Sequence, residues 1–197
     1  MKQNWSIFRS YFLFWLLLFI SAKVFFLFYH SELSSELSWK ELSLVLLHGG
    51  RLDLSTVGYY MVIPSLLLVF FTFSSGKYLH KILNVYTLFI LCVSLTLLLF
   101  DVELYRHWGF RLDSTLFTYL KSPKEATGSS NSIVVLQLFL AWLVALFCFW
   151  KLYQIWIGKK IKQKESAKWY VFPVLLFLTA ALILPIRGSL GVAPMNV

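Results

Sequence analysis

The sequence predicts an all-α integral membrane protein: five transmembrane helices with short interfacial helices on the outer face, N-terminus in and C-terminus out. Three observations carry the prediction. Hydrophobic residues make up 59% of the 197-residue chain and charged residues 14%, against roughly 25% charged in a soluble domain. Mean hydropathy is +0.73. The apolar residues gather in five runs, about 10–29, 54–73, 82–100, 132–157 and 169–186. Each is close to the length, about 20 residues, that crosses the hydrocarbon core as a helix.

The first run, Ser10–Tyr29, is too long and too aromatic for a removable leader and lacks a small-residue cleavage site, so it reads as a retained helix. Apart from Lys151 toward the end of the fourth run, Lys23 is the one charge inside any run. Two readings are open for it: its stem snorkels to the nearer interface, or it has a role within the membrane. Ser38 to His48 places Leu42, Val45 and Leu46 at helical spacing behind a Ser38/Glu41 capping box, which predicts a short interfacial helix ended by Gly49-Gly50. Pro64 lies inside the second run and predicts a kink there. Asp101 closes the third run. The longest loop, 101–131, mixes aromatics with charges in its first half, which suits an interfacial helical hairpin. Its end, Ser122–Asn131, is irregular by its Pro, Gly and Ser content. The stretch 158–168 is polar, and Pro173 falls in the first turn of the last run, where proline is best tolerated.

Five spans put the termini on opposite sides. One side then holds ten Lys and Arg, among them Lys2, Arg9, Lys77, Lys81 and the 151–168 cluster, against one acid, Glu165. The other side holds seven basic residues against eight acids. The lysine-rich side is cytoplasmic by the positive-inside rule. The net charge of +9 therefore belongs to topology and to anionic lipid heads rather than to nucleic acid. Cys92 and Cys148 are isolated within apolar runs and show neither disulfide nor zinc spacing.

Candidate chemistry collects on the outer side. Gly50-Arg51-Leu52-Asp53 and Gly109-Phe110-Arg111-Leu112-Asp113 each place Arg and Asp two residues apart after a Gly. A guanidinium can hold a lipid phosphate through two hydrogen bonds, with the Asp steadying the Arg. The alternative is ordinary interfacial charge that fixes loop geometry. Asp101, Glu103 and His107 are metal-ligand types, but their spacing matches no strong metal motif. No metalloprotease, nucleophile-elbow or phosphate-loop motif occurs, and no catalytic residue is assigned. The final stretch, Leu184–Val197, is rich in turn formers: Pro185, Gly188, Gly191 and Pro194.

Several of these segments carry a resemblance. They are Gly50-Arg51-Leu52-Asp53-Leu54-Ser55, Asp101, the Gly109–Asp113 loop, and above all Pro185-Ile186-Arg187-Gly188 with Ala193-Pro194-Met195-Asn196. Together they resemble the membrane domain of the lipoteichoic acid synthase-like family, phosphoglycerol and related phospho-group transferases of the alkaline phosphatase and sulfatase superfamily. The resemblance implies a five-helix transmembrane domain over 1–187, with 188–197 beginning a linker to an extracytoplasmic catalytic domain. That domain would use a threonine nucleophile and a divalent metal, often manganese, to take a phospho-headgroup from a lipid such as phosphatidylglycerol. The nucleophile and metal motifs have no counterpart in these residues. What the resemblance implies here is support at the outer lipid surface by Arg51, Asp53, Arg111, Asp113 and Arg187, in a bacterial cytoplasmic membrane, with membrane lipids and the catalytic domain as partners. Two other functions fit the residues: a small multi-pass transporter or channel subunit, and a non-catalytic envelope scaffold.

Overall fold

A backbone in lipid finds no water for its N–H and C=O groups, so apolar runs fold as helices that satisfy themselves. The computed structural model follows that rule. It describes residues 2–35, 38–109, 111 and 132–187, and among these every regular element is helical. In chain order they are α1 (Lys2–Tyr29), α2 (Ser31–Ser35), α3 (Trp39–Phe70), α4 (Gly76–Trp108), α5 (Ser132–Tyr153), a π-helical turn (Gln154–Gly158), α6 (Lys159–Lys162), α7 (Val171–Ala181) and α8 (Ile183–Arg187). Four stretches are long and apolar enough to cross a membrane: Lys2–Tyr29, Trp39–Phe70, Gly76–His107 and Ile133–Lys162. Val171–Arg187 is a shorter apolar helix.

The chain divides into two compact units, Met1–Thr87 with Leu152–Val197, and Leu88–Lys151. In the first unit α1 buries Asn4, Ile7, Tyr11, Phe14, Trp15 and Leu18, a stripe at the spacing of one helix face. α3 buries Asp53, Val57, Met61, Ser65 and Leu68, one face again. Aromatic rings fill the space between elements: Trp15 meets Tyr60 edge-on at 5.1 Å, and Tyr11 and Phe14 each lie 5.9 Å from Tyr153. The Tyr11 hydroxyl is hydrogen-bonded to Thr87 Oγ1.

Three boundaries differ from the sequence expectations. The interfacial helix and the second run are one helix, α3, capped by Ser38 with the full capping box. It runs straight through Gly49-Gly50. Gly49 serves close approach rather than termination: a Cβ there would lie 2.7 Å from Lys23 Nζ. Asp101 does not close α4, which continues to Trp108 and ends at Gly109. Gly109 has φ +72, and its N–H donates to Tyr105 O at 2.9 Å, the left-handed ending that glycine favours. The polar stretch after the fourth run stays helical to Lys162.

Proline shapes two helices. Pro64 has no N–H for the carbonyl of Tyr60 one turn earlier. The Tyr86 hydroxyl donates to that carbonyl instead, at 2.9 Å, and α3 continues. Pro185 lies in the first turn of α8, and the chain breaks between α7 and α8 at Leu182, where a proline ring would crowd the carbonyl of residue 181.

Candidate functional site

Arg51, Ser55 and Gly58 lie along one side of α3, three to four residues apart. α8 packs there. Ser55 Oγ donates to Ile186 O at 2.9 Å, and a Cβ on Gly58 would lie 2.8 Å from Ile186 Cγ1. Arg187 is the residue after Ile186, so Arg51 and Arg187 belong to the same end of the α3–α8 contact. Both are exposed, and both have further interactions. The two stretches, Gly50–Ser55 and Pro185–Arg187, are therefore neighbours in space, although the bond that joins them spans 131 residues.

Asp53 faces the other way. It is buried, and its Oδ2 accepts from Lys23 Nζ at 2.5 Å. Gly49 and Asp53 stand one turn apart on α3; the first leaves room for the lysine stem and the second holds its charge. The Lys23 side chain is 16% exposed and that of Asp53 11%, so the pair is largely out of solvent. Lys23, for which the sequence left open snorkelling or a role within the membrane, is held by a carboxylate on the next long helix. The signal was available: an intramembrane lysine facing a Gly-x-x-x-Asp on a neighbouring apolar helix.

In the second unit, Asp101 is buried, and its Oδ2 accepts from Arg111 Nε at 3.0 Å and Nη2 at 2.5 Å. Arg111 itself is well exposed, its side chain 63% accessible. Asp101 thus anchors one edge of the guanidinium, and Arg111 has further interactions. His107 Nε2 lies 3.0 Å from Glu103 Oε1. Among the described residues no three His, Cys, Asp or Glu side chains converge to hold a metal ion. Asp113 lies outside the described residues. The site residues thus group as Arg51 with Arg187, Asp53 with Lys23, and Arg111 with Asp101.

Two lysines at the other end of the first unit, Lys160 and Lys164, were read in the sequence only as part of the basic 151–168 cluster. Lys164 is 2% exposed. Its ammonium donates to Phe71 O at 2.7 Å, Ser74 O at 3.1 Å and Thr72 O at 3.4 Å, so it caps the carbonyl end of α3. Burial pushes its pKa below the ordinary lysine value. Gly76 N–H donates back to Lys164 O at 2.9 Å, and a Cβ on Gly76 would collide with Ile161 O. Lys160 donates to Ser10 Oγ at 2.7 Å and Ser6 Oγ at 3.1 Å. No family model, curated protein or solved structure matches this chain.

Proposed function

We propose that this chain is the membrane anchor portion of an extracytoplasmic phospho-group transferase of the sulfatase-like superfamily, one that acts on lipid headgroups. In this reading Val171–Arg187 is the fifth crossing. Its helices would cover about 26 Å at 1.5 Å per residue, near the hydrocarbon thickness. The N-terminus and lysine-rich loops face the cytoplasm, and α8 leads out toward the catalytic domain and its divalent metal. The observation that carries the reading is the α3–α8 contact: Gly50–Ser55 and Pro185–Arg187, two segments that bear the resemblance, pack together through Ser55 and Gly58. Arg51, Arg187 and the Asp101-anchored Arg111 supply guanidinium donors for phosphate oxygens at the outer surface.

The reading frame downstream of the Val197 codon tests this directly. A sulfatase-like frame supports the anchor, and a stop codon contradicts it. With the whole encoded protein in phosphatidylglycerol vesicles, release of diacylglycerol is the expected activity. A second reading, a transporter subunit, is favoured by the Lys23–Asp53 pair, because paired charges within a membrane mark ion pathways. Solute or ion flux in liposomes that is abolished by Lys23→Leu would support it over the anchor.

A further inference from the structure

A groove of about 260 Å³ opens between the first turn of α1 and one face of α7. Val171, Val174, Leu175 and Leu178 form its α7 wall, spaced along a single helix face. Val171 and Leu175 are buried and make the floor, while Val174 is partly exposed at the rim. The α1 wall is Lys2, Asn4 and Trp5. Trp5 is 47% exposed and stacks on Phe8 at 6.2 Å, the half-wet setting that tryptophan takes at a membrane interface.

Asn4 is the unusual member. It is 3% exposed, and its Nδ2 has no hydrogen-bond partner among the described residues. An orphaned amide donor is costly in an apolar wall unless something completes it. Lys2 stands at the mouth and is exposed. The surrounding charge has the same sign: Gln3 Nε2 donates to Gln163 O at 3.0 Å, and Lys160 bonds Ser6 and Ser10, so the basic 159–164 segment lies beside the first turns of α1.

We infer that this groove is a binding site for one anionic phospholipid of the leaflet on the lysine-rich side. The volume is below that of a pocket for a whole drug-sized molecule, which suits a section of one acyl chain against Val171, Val174, Leu175 and Leu178. The Asn4 amide donates to an ester carbonyl or phosphate oxygen at the top of that chain. Lys2 neutralises the phosphate. An apolar cleft that ends in two donors and no acid selects a lipid that carries acceptors and negative charge. This site is independent of the outer-surface arginines: it uses α1 and α7 at the end of the bundle away from α8.

Native mass spectrometry of the full chain, released from nanodiscs of equal dioleoyl-phosphatidylglycerol and dioleoyl-phosphatidylcholine, tests it. One phosphatidylglycerol should be retained in preference to phosphatidylcholine. Lys2→Gln should lower that preference about fivefold, the effect of one basic residue at a charged surface. Asn4→Leu should lower retention of both lipids, because both carry the ester and phosphate oxygens that its amide serves. Val174→Trp should fill the groove and lower retention of both lipids. Asn4→Leu removes an unpaired buried donor, so it should not lower the melting temperature. Lys77→Gln, an exposed lysine away from the groove, should leave the preference within twofold. Equal loss in Lys77→Gln and Lys2→Gln would show diffuse charge attraction and overturn the site. So would unchanged retention of both lipids in Asn4→Leu.

Discussion

Lys23 and Asp53 are charges on two long apolar helices, largely out of solvent, and the structure joins them at 2.5 Å. Removing one partner of a mostly desolvated pair strands the other and costs about 3 kcal/mol or more, whereas replacing both with apolar residues of similar size is close to neutral. Lys23→Leu or Asp53→Leu alone should therefore lower the melting temperature of the detergent-solubilised protein sharply, and the double variant should recover most of the loss. Additive losses would mean that each residue acts through something other than its partner. Lys164 makes a second prediction at this scale. Its folded pKa is lowered by burial, so between that value and the ordinary lysine pKa of about 10.4 the unfolded chain binds more protons than the folded one. Its contribution to stability then rises with pH over that window, and the penalty for charging it is greatest at lower pH. Wild type should gain stability relative to Lys164→Met as pH is raised from 7 toward 10. A difference that shrinks with pH would contradict the assignment. The Lys23–Asp53 pair left a partial signal, the Gly49-x-x-x-Asp53 pattern, whereas the Lys164 contacts left none, because they join residues about ninety positions apart. What the sequence did show was the unusual character of Lys23, an ammonium in an apolar run.

At the scale of elements, the helices themselves were readable wherever apolar runs exceeded a dozen residues, and the Ser38/Glu41 capping box was read correctly. The ends were misread for a common reason. Gly49-Gly50 and Asp101 are terminators in water, where backbone groups left open can be hydrated. Inside α3 and α4 they have other partners: Gly49 makes room for the stem of Lys23, and Asp101 receives Arg111. Pro64 is tolerated because Tyr86 supplies the donor that proline lacks. Tyr86→Phe should then destabilise the protein by about 1 to 2 kcal/mol, the cost of a lost bond with an unsatisfied carbonyl. In a Pro64→Ala background the restored N–H serves that carbonyl, and the same substitution should cost much less. An equal cost in both backgrounds would separate Tyr86 from the proline. Gly76→Ala drives a methyl into Ile161 O and should disrupt the turn that Lys164 holds, seen as a lowered melting temperature and faster proteolysis between residues 163 and 170.

At the scale of the whole molecule, composition alone marked an integral membrane protein, and the four long apolar helices agree with it. The candidate lipid surface was only partly legible. The sequence singled out Arg51, Arg111 and Arg187 as guanidiniums beside the membrane, and the structure sets Arg51 and Arg187 at the end of one helix contact and anchors Arg111 on Asp101. It expected Asp53 to steady Arg51, and the described partner of Asp53 is Lys23. The reason is helical register: on α3, Asp53 shares a face with Gly49 and Val57, whereas Arg51 shares one with Ser55 and Gly58. Two residues apart on a helix is nearly opposite, so a pattern that looks like a pair in a loop divides between two faces once the segment is helical.

The anchor reading depends on the lysine-rich turn and the end of α8 emerging on opposite sides of the membrane. Single cysteines at Ser166→Cys and Arg187→Cys, in a background where Cys92 and Cys148 are alanine, can be reacted in intact cells with a membrane-impermeant maleimide. Position 187 should be labelled from outside, and position 166 only after the membrane is permeabilised. Labelling of both positions from the same side would contradict the anchor.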